Sequence, residues 1–151
     1  MINQYVDKFI KNLPSKLKNN KKPLQLDLVL DGGVFNGSYL VGALYFLKEM
    51  EKQNYIKINR ISGCSIGSVI AFMYTIDCLD VSEEFYNIIF NQLKVSHNLS
   101  INEALNFVLK DRIPNDICDK VNNKLYITYY NIKKRRQKIK CTYKNKEEII
   151  N

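Results

Sequence analysis

Gly63-Cys64-Ser65-Ile66-Gly67 lies between two stretches of opposite character. Before it, Tyr55-Ile56-Lys57-Ile58-Asn59-Arg60-Ile61-Ser62 alternates apolar and polar residues, the pattern of a short strand. After it, Ser68-Val69-Ile70-Ala71-Phe72-Met73-Tyr74 is an apolar run with no Gly or Pro to break a buried helix. A serine on so sharp a strand-to-helix turn needs glycine two residues away on each side, where side chains would collide. That arrangement exposes a hydroxyl for nucleophilic attack. Ser65 is therefore the candidate nucleophile, with Gly63 and Gly67 the glycines of its elbow.

The same strand-loop-helix order occurs once upstream. Leu26-Asp27-Leu28-Val29-Leu30 reads as a buried strand and Asp31-Gly32-Gly33-Val34-Phe35-Asn36-Gly37 as a loop. Ser38 to Lys52 then carries Leu40, Ala43, Leu44, Leu47 and Met50 at helical spacing. A right-handed crossover between consecutive units puts both loops at the C-terminal edge of one parallel sheet. Glycines there leave backbone N–H groups free at the positive end of a helix, able to hold a ligand phosphate or the oxyanion of an acyl-transfer intermediate.

These residues resemble the patatin-like phospholipases. The family's glycine-rich oxyanion loop is similar to Gly32-Gly33-Val34-Phe35-Asn36-Gly37, its helix start to Ser38-Tyr39-Leu40-Val41-Gly42, and its nucleophile motif to Gly63-Cys64-Ser65-Ile66-Gly67. The resemblance runs from about Leu26 to Met73, and more loosely through Leu125-Tyr126-Ile127-Thr128. Val34 stands where a third glycine is common and Asn36 where a basic residue is common. The resemblance implies a three-layer α/β/α fold with a mainly parallel sheet. It also implies Ser65 as nucleophile, an oxyanion hole at Gly32, Gly33 and Val34 with Gly37 ending the loop, no cofactor, and a lipid ester or phospholipid substrate. The family's base is an Asp in an Asp-Gly-Gly or Asp-Gly-Ala turn well downstream of the serine. No such turn follows residue 67, so the chain reads as the N-terminal part of the domain with its C-terminal part missing. Asp31-Gly32-Gly33 precedes the nucleophile and opens the oxyanion loop; Asp31 is not assigned as the base.

With 151 residues, 46% hydrophobic and 25% charged, the chain has one domain's worth of core-forming sequence. Residues 1–22 read as an amphipathic helix and basic linker, and 23–151 as the patatin-like domain. Ile2, Tyr5, Val6, Phe9, Ile10 and Leu13 form one helical stripe, read as a docked helix with membrane contact as the alternative. The stripe is too short for a signal peptide or spanning helix, which places the protein in the cytoplasm, with peripheral membrane association the alternative.

An excess of 23 Lys and Arg over 15 Asp and Glu gives a net charge of +8. It gathers at Lys16, Lys18, Lys21 and Lys22, and again at Lys133-Lys134-Arg135-Arg136 with Lys138 and Lys140. Solvated hairpin or linker is the first reading, anionic headgroups the second. No nucleic-acid module accompanies the charge, so nucleic acid is not expected. Cys64, Cys78, Cys118 and Cys141 have no C-x-x-C spacing and read as reduced thiols, and one His with no clustered ligands argues against a metal site. His97 reads as a loop histidine ahead of a general base. Helix starts are expected at Asp80 to Glu84 and at Ser100 to Glu103, strands over 125–132 and 139–143, and a further helix from Glu147. Oligomeric state leaves no trace in the sequence.

Three functions fit: a serine lipid acyl hydrolase, a non-catalytic patatin-like fragment that binds lipid or a partner, and a phosphate-binding α/β module. The third is weakest, because Gly32-Gly33-x-x-x-Gly37 matches neither G-x-G-x-x-G nor a Walker loop.

Overall fold

The computed structural model describes residues 2–18 and 22–150. In chain order the elements are α1 (Ile2–Lys11), α2 (Ser15–Lys18), β1 (Leu24–Leu30), α3 (Gly37–Lys52), β2 (Ile56–Cys64) and α4 (Ile66–Thr75). A single 3₁₀ turn (Leu79–Val81) precedes α5 (Ser82–Ser96), α6 (Ile101–Leu109), α7 (Ile117–Val121), β3 (Leu125–Asn131), β4 (Arg136–Lys140) and α8 (Lys146–Ile150). The strands form one sheet in the order β1-β2-β3-β4, the first three parallel and β4 antiparallel to β3. The chain has the α/β fold with a mainly parallel sheet that its sequence implies.

Helix α4 is buried because nothing in Ile66–Thr75 carries a charge, so every face can pack. Ile66, Ile70, Ala71 and Met73 are fully enclosed, and Phe85 and Ile89 of α5, Leu109 of α6, Val121 of α7 and Leu125 of β3 complete the core around them. Since β1, β2 and β3 follow one another in a single direction, right-handed crossovers carry the intervening helices to one face of the sheet. Residues of the opposite face stay open: Val29 is 82% exposed and Ile139 65%. There Asp27 and Arg60 form an ion pair, with Arg60 Nε 3.0 Å from the Asp27 carboxylate.

The N-terminal stripe docks. Val6 and Ile10 are buried against Met50 of α3 and Ile56 of β2, while Tyr5 and Phe9 stay exposed. The side chain of Ile2, that of Lys18 and all of Lys21 lie outside the described residues. The second basic cluster closes a hairpin, where Asn131 Oδ1 accepts the Lys134 N–H at 2.8 Å and Arg135 is left-handed with φ 46°. Strand β4 begins at Arg136, three residues earlier than the sequence pattern indicates. A lysine-rich strand at the sheet edge keeps its charges in water and loses the apolar alternation that would reveal it. Tyr143, expected at the end of that strand, is buried off the sheet, its backbone clamped by Asn122 at 2.7 and 3.2 Å.

The end of the sheet opposite the candidate site is tied by one carboxylate. Glu51 of α3 accepts the Tyr74 hydroxyl at 2.5 Å and the Ile58 N–H at 2.7 Å, which helps to hold the Tyr74 hydroxyl well above its ordinary pKa, after burial as the larger cause. Glu51→Ala leaves both donors without their acceptor, and urea unfolding is expected to show a loss of about 2 kcal/mol. A stability equal to wild type would show that water replaces the carboxylate freely.

Candidate active site

Ser65 is the single residue between the last residue of β2 and the first of α4, and it takes φ 52° and ψ −130°. A non-glycine residue in this region is strained by about 1–3 kcal/mol and persists only where its surroundings hold it. Two glycines hold it. A Cβ built on Gly63 would lie 2.5 Å from the Gly67 carbonyl carbon and oxygen, and one on Gly67 would lie 2.5 Å from the Asp31 carbonyl oxygen and 2.7 Å from that of Leu30. The backbone of α4's first turn thus rests directly on the ends of β2 and β1. Ser65 itself is exposed, and its hydroxyl has no hydrogen-bond partner among the described residues. Its carbonyl accepts the Ser68 N–H at 2.9 Å.

The glycine loop lies alongside. Leu30 pairs with Gly63 in the β1–β2 register, so the segments leaving both strands emerge side by side. A Cβ on Gly32 would sit 3.4 Å from Ser65 Cβ and 3.5 Å from Cys64 Sγ. Gly33 has φ 112°, accessible to glycine at little cost, and its carbonyl accepts the Asn36 N–H at 2.9 Å to close a turn before α3. The three loop residues differ in what their N–H groups do. Gly32 donates to its neighbour, Asp31 Oδ1, at 2.7 Å. The N–H groups of Gly33 and Val34 have no acceptor among the described residues. Asn36 gives α3 no side-chain cap, so the positive end of that helix also faces this corner uncapped.

The other polar candidates are otherwise occupied. The Cys64 thiol approaches Asp31 Oδ1 at 3.8 Å. Asp77 pairs with Lys48 at 3.2 Å, Asp80 pairs with Arg112, and His97 takes the left-handed C-cap position of α5, exposed to solvent. Ser100 caps α6 by accepting the Glu103 N–H at 3.4 Å.

Sequence reasoning missed the wall beside this corner. Phe35 of the loop stacks on Phe90 of α5, centroids 5.5 Å apart and planes 20° from parallel. Tyr86 is buried behind them, its hydroxyl unpartnered and pushed up to about 12 by burial. Phe85, Ile88, Ile89 and Leu93, at helical spacing, mark one apolar face of α5. The aromatic pair at 86 and 90, spaced four apart, was the signal for a second covered side.

The comparisons agree with this architecture. Residues 28–139 match the model of the patatin-like phospholipase family, and the chain belongs to that family. One relative is "Probable lipid hydrolase 463L" of Invertebrate iridescent virus 6, 42% identical over 78 residues. The matched stretch covers 50% of this chain but 23% of the viral protein, so the chain spans about a quarter of the length of the curated relative it matches. No solved structure gives a significant match.

Proposed function

We propose that the chain carries the nucleophile and oxyanion hole of a serine lipid acyl hydrolase. The observation that carries the reading is the strained, exposed Ser65 beside a glycine loop in which the Gly33 and Val34 N–H groups have no acceptor among the described residues. Ser65 Oγ attacks the carbonyl carbon of a lipid ester; the carbonyl oxygen becomes an oxyanion and receives the N–H groups of Gly33 and Val34. Gly32 supports the loop through Asp31. Its own N–H joins the oxyanion hole once that bond is released. Collapse of the intermediate breaks the bond to the leaving oxygen, which departs as the alcohol carrying the proton from the Ser65 hydroxyl, and leaves an acyl-serine for water to cleave.

The hydroxyl proton needs a base. Asp31, the carboxylate of the loop, accepts from Gly32 and faces Cys64, which supports the second reading, a lipid-binding patatin-like domain without turnover of its own. The basic hairpin at 132–140 and the exposed Tyr5 and Phe9 of α1 suit contact with an anionic membrane surface, although among the described residues no helix is long and apolar enough to cross one.

An alkyl fluorophosphonate separates the two readings, because its phosphorus is far more electrophilic than an ester and one slow event per chain is enough to detect. Slow covalent labelling is expected for wild type and none for Ser65→Ala. Equal labelling of both would remove Ser65 from the chemistry. Gly33→Val, which must force a branched side chain to φ 112° beside Asn36, is expected to cut the labelling rate by about 10²-fold or more, in line with loss of an oxyanion donor. An unchanged rate would move the oxyanion hole elsewhere.

A further inference from the structure

Between α3 and α5 runs a groove of about 460 Å³, lined along one side by Ser38, Val41 and Tyr45 and along the other by Tyr86 and Phe90, with Phe35 at its mouth. Ser38 to Tyr45 is two turns of helix, so the groove extends about 10 Å. Its volume falls in the range of small-ligand sites, about 300–1,000 Å³. Its mouth is linked to the segments around the candidate nucleophile at two points. Phe35 follows Val34 directly in the chain. Gly37 fits between the Tyr86 hydroxyl and α4: a Cβ there would run into that hydroxyl and come within 2.7 Å of Ile70 and 3.0 Å of Ile66, the residue next to Ser65.

We infer that this groove seats a single fatty acyl chain of the ester whose carbonyl Ser65 attacks, an inference that rests on the reading of Ser65 as nucleophile. Toward the loop, Phe35, Val41, Tyr86 and Phe90 offer a chain apolar contact, and with Ser38 and Asn87 they carry no charge. The far end carries Glu83, and Asp80 in its pair with Arg112. The Glu83 carboxylate there repels a phosphate headgroup or a carboxylate, which sets the direction of the chain: ester at the Phe35 mouth, methyl end toward α5's first turn. The Phe35–Phe90 stack then forms one side of the entrance, and Phe90 sets how closely the chain is held.

The test uses the full chain with Ser65→Ala, so that binding is read without chemistry. A dansyl-labelled undecanoic acid reports occupancy, displaced by saturated fatty acids from hexanoic to hexadecanoic. Affinity is expected to rise by up to about fourfold per methylene until the groove is filled, then to level. Asn87→Trp, on the exposed lip of α5, fills the groove and should weaken every long acid at least tenfold; Phe90→Ala should flatten the dependence on length. Glycerophosphate should not compete. Affinities and length dependence unchanged in both variants, no binding at all, or competition by glycerophosphate would each overturn the inference. The two readings fail separately. Loss of acyl binding with Ser65 still labelled by the fluorophosphonate sinks the groove alone, whereas acyl binding without labelling sinks the nucleophile and with it the groove's place in an ester reaction.

Discussion

Gly67→Val is expected to abolish folding. The new side chain would begin 2.5 Å from the Asp31 carbonyl oxygen and 2.7 Å from that of Leu30, and neither is the tip of a side chain that could turn away. Relief requires α4 to lift from β1, and α4 is the helix on which the core is built. Ordinary overpacking costs about 1–3 kcal/mol, and a collision of backbone with backbone exceeds it, on the order of 4–5 kcal/mol or more against a total stability of about 5–15 kcal/mol. Gly63→Val meets the Gly67 carbonyl from the other side and should behave alike. Gly42 is the control, since a Cβ there meets nothing within 4 Å and lies mid-helix in α3. Gly42→Ala should therefore stabilise by about 0.5–1 kcal/mol. Circular dichroism with urea titration of the three variants reads the contrast, and a cooperatively folded Gly67→Val chain of near wild-type midpoint would show that the elbow is not held as described.

The 151-residue chain on its own is expected to turn over lipid esters barely above its own Ser65→Ala variant. A serine without a general base is a poor nucleophile at neutral pH, and removing one member of a catalytic unit costs on the order of 10⁴-fold or more. The measurement is steady-state hydrolysis of a short-chain ester and of phospholipid in mixed micelles, wild type against Ser65→Ala. Robust Ser65-dependent turnover would mean that another group takes the proton. Asp31→Asn, His97→Ala and Asp77→Asn would then be compared, in that order.

The elbow was legible in the sequence because its requirement is local: a serine can occupy that turn only with small neighbours at fixed offsets, and Gly63 and Gly67 supply them. The flanking strands and helices were legible for a related reason. Leu26, Leu28 and Leu30 face one side of β1, and the uncharged run of α4 admits only burial. What escaped depends on residues far apart. Nothing local to Phe35 indicates that Phe90 will stack on it, and nothing in Lys133 to Lys140 distinguishes a charged edge strand from a charged loop until β3 is beside it. The commitment of the Gly32 N–H to Asp31 was equally hidden, since it turns on a single side-chain rotamer.

The approach of Gly67 to Asp31, of Gly32 to Ser65 and of Cys64 to Asp31 all fall within one uninterrupted stretch of chain, the last spanning 33 residues. These contacts lie within the segment from β1 through α3 and β2 to the start of α4, and draw on nothing from α5 onward. The contacts that hold the strained serine turn are thus supplied by the first β-α-β-α segment, while α5 supplies Phe90 of the aromatic wall. The reactive corner and the wall beside it therefore come largely from separate stretches of sequence, so that substitutions in α5 can reshape the wall without altering a contact that holds the hydroxyl in place.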